Sequence, residues 1–263
     1  MTGSWRGGAL CALCVVLLLA APAAFGQKAA PAPAPAPAST PAKTGEKELA
    51  DKSASPRMKN DPQAVELLQR IEQKYGAIKT FSGAFRQVRK DPAFDEKIES
   101  QGRFHIMKPS NFRAEYYSPN ESVNLISGQY SYRYVKQLKQ VERYKFKGED
   151  NVRDLNYMLL GFGVKTDDLL RVYYAQWLGE SMGKGYQAVK LVPRDRQDAN
   201  FKHLSIVITA DDQLLPAQFS LEQLDGALVT ANLDLKSLEI GGSIDEKLFR
   251  PDFPRDAQVV DIE

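Results

Sequence analysis

The stretch that decides the fold is "GRFHIMKPSNFRAEY", Gly102 to Tyr116. It begins as a strand with alternating side chains, breaks at Lys108-Pro109, and resumes with Phe112-Arg113-Ala114-Glu115-Tyr116. Counting by two puts Phe104, Ile106 and Lys108 on one face. A row of apolar side chains thus ends in an ammonium group, just before a proline that cannot donate to a sheet ladder.

Strand signals continue on both sides of this stretch. Eleven candidate strands follow one another: about Thr80–Lys90, Ile98–Met107, Phe112–Tyr117, Ser122–Ile126, Tyr130–Val135, Gln140–Phe146, Arg171–Leu178, Tyr186–Val192, His203–Thr209, Leu214–Glu222 and Leu228–Leu238. Ser127-Gly128, Gly183-Lys184-Gly185, Asp211-Asp212 and Asp225-Gly226 are turn signals between them. Strands joined by short turns are mainly antiparallel. A meander of this length must curl, because sheets twist and free edges are a liability.

Helical spacing appears in three places. Asp61 and Pro62 are a capping residue and a first-turn proline, followed by Val65, Leu68, Ile71 and Tyr75 and a stop at Gly76. Val152, Leu155, Met158 and Leu159 then recur at helical spacing ahead of Gly161 and Gly163, two glycines that give backbone freedom. Thr166-Asp167-Asp168 is a start signal for another short helix. The expected architecture is three helical pieces against one curved sheet.

The chain opens differently. One Arg, an apolar run from Ala9 to Ala21 and a small-residue ending have the layout of a secretory signal peptide. The run is shorter than the roughly 20 residues a spanning helix needs. Cleavage after Ala24-Phe25-Gly26 leaves Gln27 as the first mature residue; Ala21-Pro22-Ala23 is a second candidate site. Both cysteines, Cys11 and Cys14, fall inside this segment, so the mature chain has no disulfide or thiolate chemistry. Neither cysteine stands where a lipoprotein signal places one. Residues 27–60, beginning with "KAAPAPAPAPASTPAK" from Lys28, read as a solvated, extended Pro/Ala linker. Residues 61–263 then form the folded domain.

Composition excludes several functions. The net charge of +2 becomes +1 once Arg6 leaves with the signal segment, and no basic tract of the kind nucleic acid requires is present. His105 and His203 stand in strands without metal-ligand spacing and read as ordinary strand histidines. No nucleophile motif, phosphate loop or zinc motif occurs, so catalytic, metal and cofactor sites are all expected to be absent. Phe81, Phe85, Phe104, Phe112, Tyr116, Tyr130, Tyr132 and Tyr134 concentrate in the first half of the meander. Periodicity alone makes them a packed core. On a curved sheet under helices the same residues are a candidate surface for apolar ligands.

From about Val65 to Asp261 the chain resembles the periplasmic outer-membrane lipoprotein carrier (LolA-like) family. The resemblance lies in the order of "TFSGAFRQ", "GRFHIMKPSNFRAEY", "SVNLISGQYSYRYVKQLKQVERY", "NYMLLGFG" and "LFRPDFPRDAQVVD". It implies a mainly β fold: an open, incomplete antiparallel β-barrel of about eleven strands under a helical lid, enclosing an apolar cavity for acyl chains. It further implies a monomeric, soluble periplasmic shuttle without a cofactor. Its partners would be acylated lipoprotein cargo, an inner-membrane lipoprotein-releasing transporter and an outer-membrane acceptor. A related envelope sensor or structural module on the same half-barrel is the competing reading. The chain departs from the family in the length of its Pro/Ala linker and in Lys108, where the family usually has Arg before the proline.

With that fold, Phe85, Phe104, Ile106, Phe112 and Tyr116 are expected to line the cavity, faced by Met158, Leu159 and Phe162 from the lid. Lys108 is expected at the rim, with its stem on apolar surface and its ammonium donating to carbonyls at lid-helix ends. Such a latch is worth about 1–2 kcal/mol. The competing expectation for Lys108 is a solvated lysine at a strand end.

Overall fold

The computed structural model describes residues 58–92, 96–146, 161–180, 183–195, 199 and 201–262. The expected signal peptide, most of the linker, and Val152, Leu155, Met158 and Leu159 lie outside the described residues. From Lys59 onward the described residues form one unit.

Helix α1 spans Pro62–Tyr75 and buries Ala64, Leu67, Leu68, Ile71 and Tyr75. Val65 is only half-buried, so the buried stripe lies slightly round the helix from the expected one. Asp61 makes no side-chain cap. Its carboxylate instead accepts the Trp177 N–H at 2.8 Å. A second helix, α2, spans Thr166–Val172. Its Thr166 N–H donates to Glu72 Oε2 at 2.8 Å, so a side chain of α1 serves one of the amides left open at the start of α2.

The sheet has thirteen strands. They are β1 (Thr80–Asp91), β2 (Glu96–Met107), β3 (Asn111–Ser118), β4 (Ser122–Ser127), β5 (Tyr130–Val135), β6 (Gln140–Lys145), β7 (Tyr173–Gly179), β8 (Tyr186–Pro193), β9 (Phe201–Thr209), β10 (Pro216–Gln223), β11 (Leu228–Leu233), β12 (Glu239–Ile240) and β13 (Gln258–Ile262). Their order is β13-β6-β5-β4-β3-β2-β1-β11-β10-β9-β8-β7, with β12 beside β1. β7 and β13 are the two ends and do not pair, so the barrel is open. Two strands exceed the eleven expected. β12 has two residues. β13 runs parallel to β6 and leaves Val259 53% exposed, so neither shows the alternation that marks a half-buried strand. Arg171 and Val172 finish α2 rather than begin β7.

Register divides the side chains between two faces. Phe81 pairs with Ile106 and Ile106 with Phe112, in one row. Phe85, Gly102 and Tyr116 form another. Both rows belong to the interior with α1 and α2, opposite Leu204, Ile206, Leu221 and Val229 from β9 to β11. Gly102 is required by space, since a Cβ there would lie 2.0 Å from the Glu115 carbonyl oxygen.

The outer face of β3–β6 is covered too. The chain after β12 crosses it, burying Phe249 and accepting a 3.1 Å hydrogen bond from Arg113 at the Leu248 carbonyl. Phe253 lies 5.7 Å from the Tyr132 ring and 5.6 Å from Tyr134. The aromatics of the first half of the meander therefore split: Tyr132 and Tyr134 pack under the C-terminal segment, away from the interior.

Candidate functional site

The interior wall is built by alternation. Phe85, Phe104, Ile106, Phe112 and Tyr116 are all buried in one cluster, because each occupies an inward position on β1, β2 or β3. Phe85 and Tyr116 meet edge to face at 5.2 Å. The Tyr116 hydroxyl donates to Gln87 Oε1 at 3.1 Å, and burial pushes this phenol well above its ordinary pKa.

Phe162 enters this wall from the segment ahead of α2. Its ring lies 4.9 Å from Phe81, 5.9 Å from Phe104 and 6.1 Å from Phe219. Two glycines make the entry possible. Gly161 and Gly163 have φ of +83° and +82°, where side chains other than hydrogen are disfavoured. A Cβ on Gly163 would also fall 2.4 Å from the Tyr75 carbonyl carbon, so the backbone there touches the end of α1. From sequence the two glycines read as sources of backbone freedom; in the fold they allow tight seating.

Lys108 closes the arrangement. Its ammonium donates to the carbonyls of Tyr75 at 2.9 Å, Gly76 at 3.3 Å and Phe162 at 2.9 Å. It also lies 5.3 Å from the centre of the Phe81 ring. Helix α1 ends at Tyr75, and its last carbonyls have no partner further along the helix. One side chain thus joins three elements: the β2 rim, the end of α1 and the segment carrying Phe162. Burial lowers the Lys108 pKa from 10.5 to about 8.

Of the expected site residues, Phe85, Phe104, Ile106, Phe112, Tyr116, Phe162 and Lys108 are brought into this region. Met158 and Leu159 lie outside the described residues. Phe81, Tyr75 and Phe219 belong to the site as well. Phe219 is legible in the sequence, since it alternates with Leu221 as Ile206 does with Leu204. Tyr75 reads from sequence only as a helix core residue. Its hydroxyl donates to the Gln213 carbonyl and its phenol is pushed up to about 12 by burial.

The histidines sit elsewhere. His105 is on the outer face of β2, between Ser82 and Arg113 on the neighbouring strands, and burial lowers its pKa. His203 Nδ1 is 3.4 Å from a Glu222 oxygen. Among the described residues no three potential ligands gather to hold a metal ion, and no helix is long and apolar enough to cross a membrane.

The open half-barrel is the fold the sequence resemblance implied, and its interior is lined by aromatic side chains. The sequence profile of the outer membrane lipoprotein carrier protein LolA family matches residues 76–252. The chain belongs to this family. Solved structures similar to this LolA-family chain include an uncharacterized conserved protein from Thermus thermophilus, with 17% identity over 76% of this chain and 99% of that one and a TM-score of 0.47. A LolA superfamily protein from Nitrosomonas europaea has 10% identity over 71% and 97% of the two chains, with a TM-score of 0.38. The lipoprotein LppX from Mycobacterium tuberculosis has 9% identity over 71% and 99%, with a TM-score of 0.39. Among curated proteins none matches this sequence.

Proposed function

We propose that this LolA-family protein is a periplasmic, non-enzymatic carrier. It holds the acyl chains of lipoproteins against the inner wall and moves them from the inner to the outer membrane. Exported by residues 1–26 and trailing the 27–60 linker, it takes cargo as a monomer from an inner-membrane lipoprotein-releasing transporter. It passes that cargo to an outer-membrane acceptor.

The observation that carries this reading is the seating of Phe162. Its ring fills apolar space between β1, β2 and β10 on a segment held by the Lys108 ammonium, which also bonds the end of α1. Such a plug can exchange with an acyl chain. Burying a Phe side chain stabilises by about 1.5–3 kcal/mol and each methylene by about 0.8 kcal/mol. About two to four methylenes therefore offset the ring, and longer chains displace it. Lys108 acts as the latch of the closed, empty form, and Phe85, Phe104, Ile106, Phe112 and Tyr116 receive the chains. No covalent chemistry is needed.

The test is mass spectrometry of the purified protein for co-purifying acylated peptide, with displacement of a fluorescent fatty-acyl probe by lipopeptide. Saturable uptake and displacement are expected. A folded sample with no saturable acyl uptake overturns the proposal. One that captures an unacylated envelope protein instead supports the sensor or structural-module reading.

A further inference from the structure

The inner wall is not uniformly apolar. Pairing puts Phe104, Ala114, Asn124, Arg133 and Glu142 in one cross-strand row from β2 to β6. Residues so paired share a face, so Asn124, Arg133 and Glu142 look into the same interior as Phe104. Ala114 and Asn124 are 0% and 1% exposed, and the Arg133 and Glu142 side chains are 19% and 20% exposed. The row runs from an aromatic that touches the Phe162 plug to a guanidinium and a carboxylate.

The charged end is poorly satisfied. Arg133 Nη1 approaches Glu142 Oε2 only to 3.6 Å, too far for a hydrogen bond. Other ion pairs of this protein close fully: Arg113–Glu115 at 2.7 Å, Lys202–Glu222 at 2.9 Å and Arg143–Asp261 at 2.6 Å. A half-buried pair at such a distance is a weak source of stability, since desolvation offsets much of its attraction. Among the described residues Arg133 therefore keeps N–H donors available on the interior wall, while the nearby carboxylate cancels its net charge. That combination suits a neutral acceptor such as an ester carbonyl better than a free carboxylate, which Glu142 would repel.

We propose that Arg133, aided by Glu142, is a polar subsite for the ester carbonyls that head the acyl chains of a diacylglyceryl ligand. This rests on the carrier reading above and adds the class of head group. Three strand spacings separate Phe104 from Arg133, about 14 Å. A chain laid across β2–β5 thus places its tail at the aromatic end and its carbonyl at the guanidinium.

The experiment compares a diacyl (ester) lipopeptide with the matched dialkyl (ether) lipopeptide, which lacks only the carbonyls, by competition against a fluorescent acyl probe. The wild-type full chain should prefer ester over ether by about tenfold, as expected for one hydrogen bond from a charged donor. Arg133→Met should bring the two ligands to equal affinity while ether binding stays at the wild-type value. Glu142→Gln leaves the Arg133 donors in place, so it should keep the ester preference over ether while raising affinity for a free fatty acid, which separates a subsite from a misfolded wall. Equal wild-type affinity for both, an ester preference surviving Arg133→Met, or a stronger preference for a free fatty acid overturns the subsite but leaves the carrier. Binding of no ligand by wild type overturns both.

Discussion

The ammonium of Lys108 lies 2.9 Å from the carbonyl oxygen of Phe162, tying the rim of the sheet to the backbone whose ring fills its interior. If closure of this latch competes with cargo, weakening it should make cargo harder to release. Lys108→Leu removes the charged donor, worth about 1–2 kcal/mol, which shifts the ratio of closed to open forms by about 5–30-fold. Acyl binding should survive and transfer to an acceptor should slow. Lys108→Arg should keep transfer, since a guanidinium can also reach several carbonyls. A Leu variant transferring at the wild-type rate would reduce Lys108 to a rim residue with no role in release.

The same residue sets a pH dependence with a definite sign. Burial holds Lys108 at about 8 in the folded, closed form, against 10.5 ordinarily. Between those values the closed form binds fewer protons than the open or unfolded chain, so raising the pH favours closure and stability. Below about pH 8 the ammonium bears a desolvation cost that its three carbonyl bonds offset, whereas the neutral amine above that pH escapes the cost and still donates two N–H groups to the latch. Tyr75 works the other way above its ordinary value of 10.0, because its phenol is pushed up to about 12. The expected result is a urea midpoint that rises from about pH 8 to pH 10.5 in wild type, relative to Lys108→Arg, whose guanidinium stays charged. Parallel curves for the two proteins would show that Lys108 is solvated.

Phe162→Ala should empty the wall. Loss of a buried Phe costs about 3–5 kcal/mol, read as a lower urea midpoint. The vacated space should also raise affinity for a fatty-acyl probe, and saturating ligand should restore part of the lost stability. Unchanged acyl affinity would mean that Phe162 and the chain do not compete for one place.

Gly163→Ala tests the seating itself. The added Cβ would meet the Tyr75 carbonyl carbon at 2.4 Å, on a backbone with φ of +82°. The left-handed conformation alone costs about 1–2 kcal/mol for a residue with a side chain, and the clash adds to it. Faster amide exchange is expected for residues 161–165 while the β1–β2 pair stays protected. Protection equal to wild type would contradict the close approach to α1.

Much of the architecture was legible because polar residues alternate with apolar ones along many strands: Leu204 and Ile206 are buried in the interior, while His203 and Ser205 beside them are only partly covered. The reading failed where both faces are covered. In "YSYRYV" the tyrosines look like the interior row and Ser131 and Arg133 like the solvent row. The segment bearing Phe249 and Phe253 packs on the outer face, so Tyr132 and Tyr134 turn outward while Arg133 turns in. Asp61 illustrates a second limit. Its cap reading is local, but its carboxylate is claimed by Trp177, a residue 116 positions away. The apolar side of the site was visible from counting by two along Phe104, Ile106 and Lys108. Its polar side, Asn124, Arg133 and Glu142, needed the register of several strands, which no single segment encodes.

The partners of β7 bear on how this protein behaves at high concentration. Along its outer margin the Tyr173 N–H bonds the Leu169 carbonyl, and those of Ala175 and Trp177 bond Asn60 at 3.1 Å and Asp61 at 2.8 Å. The Ala175 carbonyl in turn accepts the Asp61 N–H at 2.9 Å. A sheet that grows by adding copies edge to edge needs two receptive margins per molecule. Here the β7 margin is occupied by the chain itself. A second copy could add at β7 only by displacing these bonds, which works against open-ended growth through this edge.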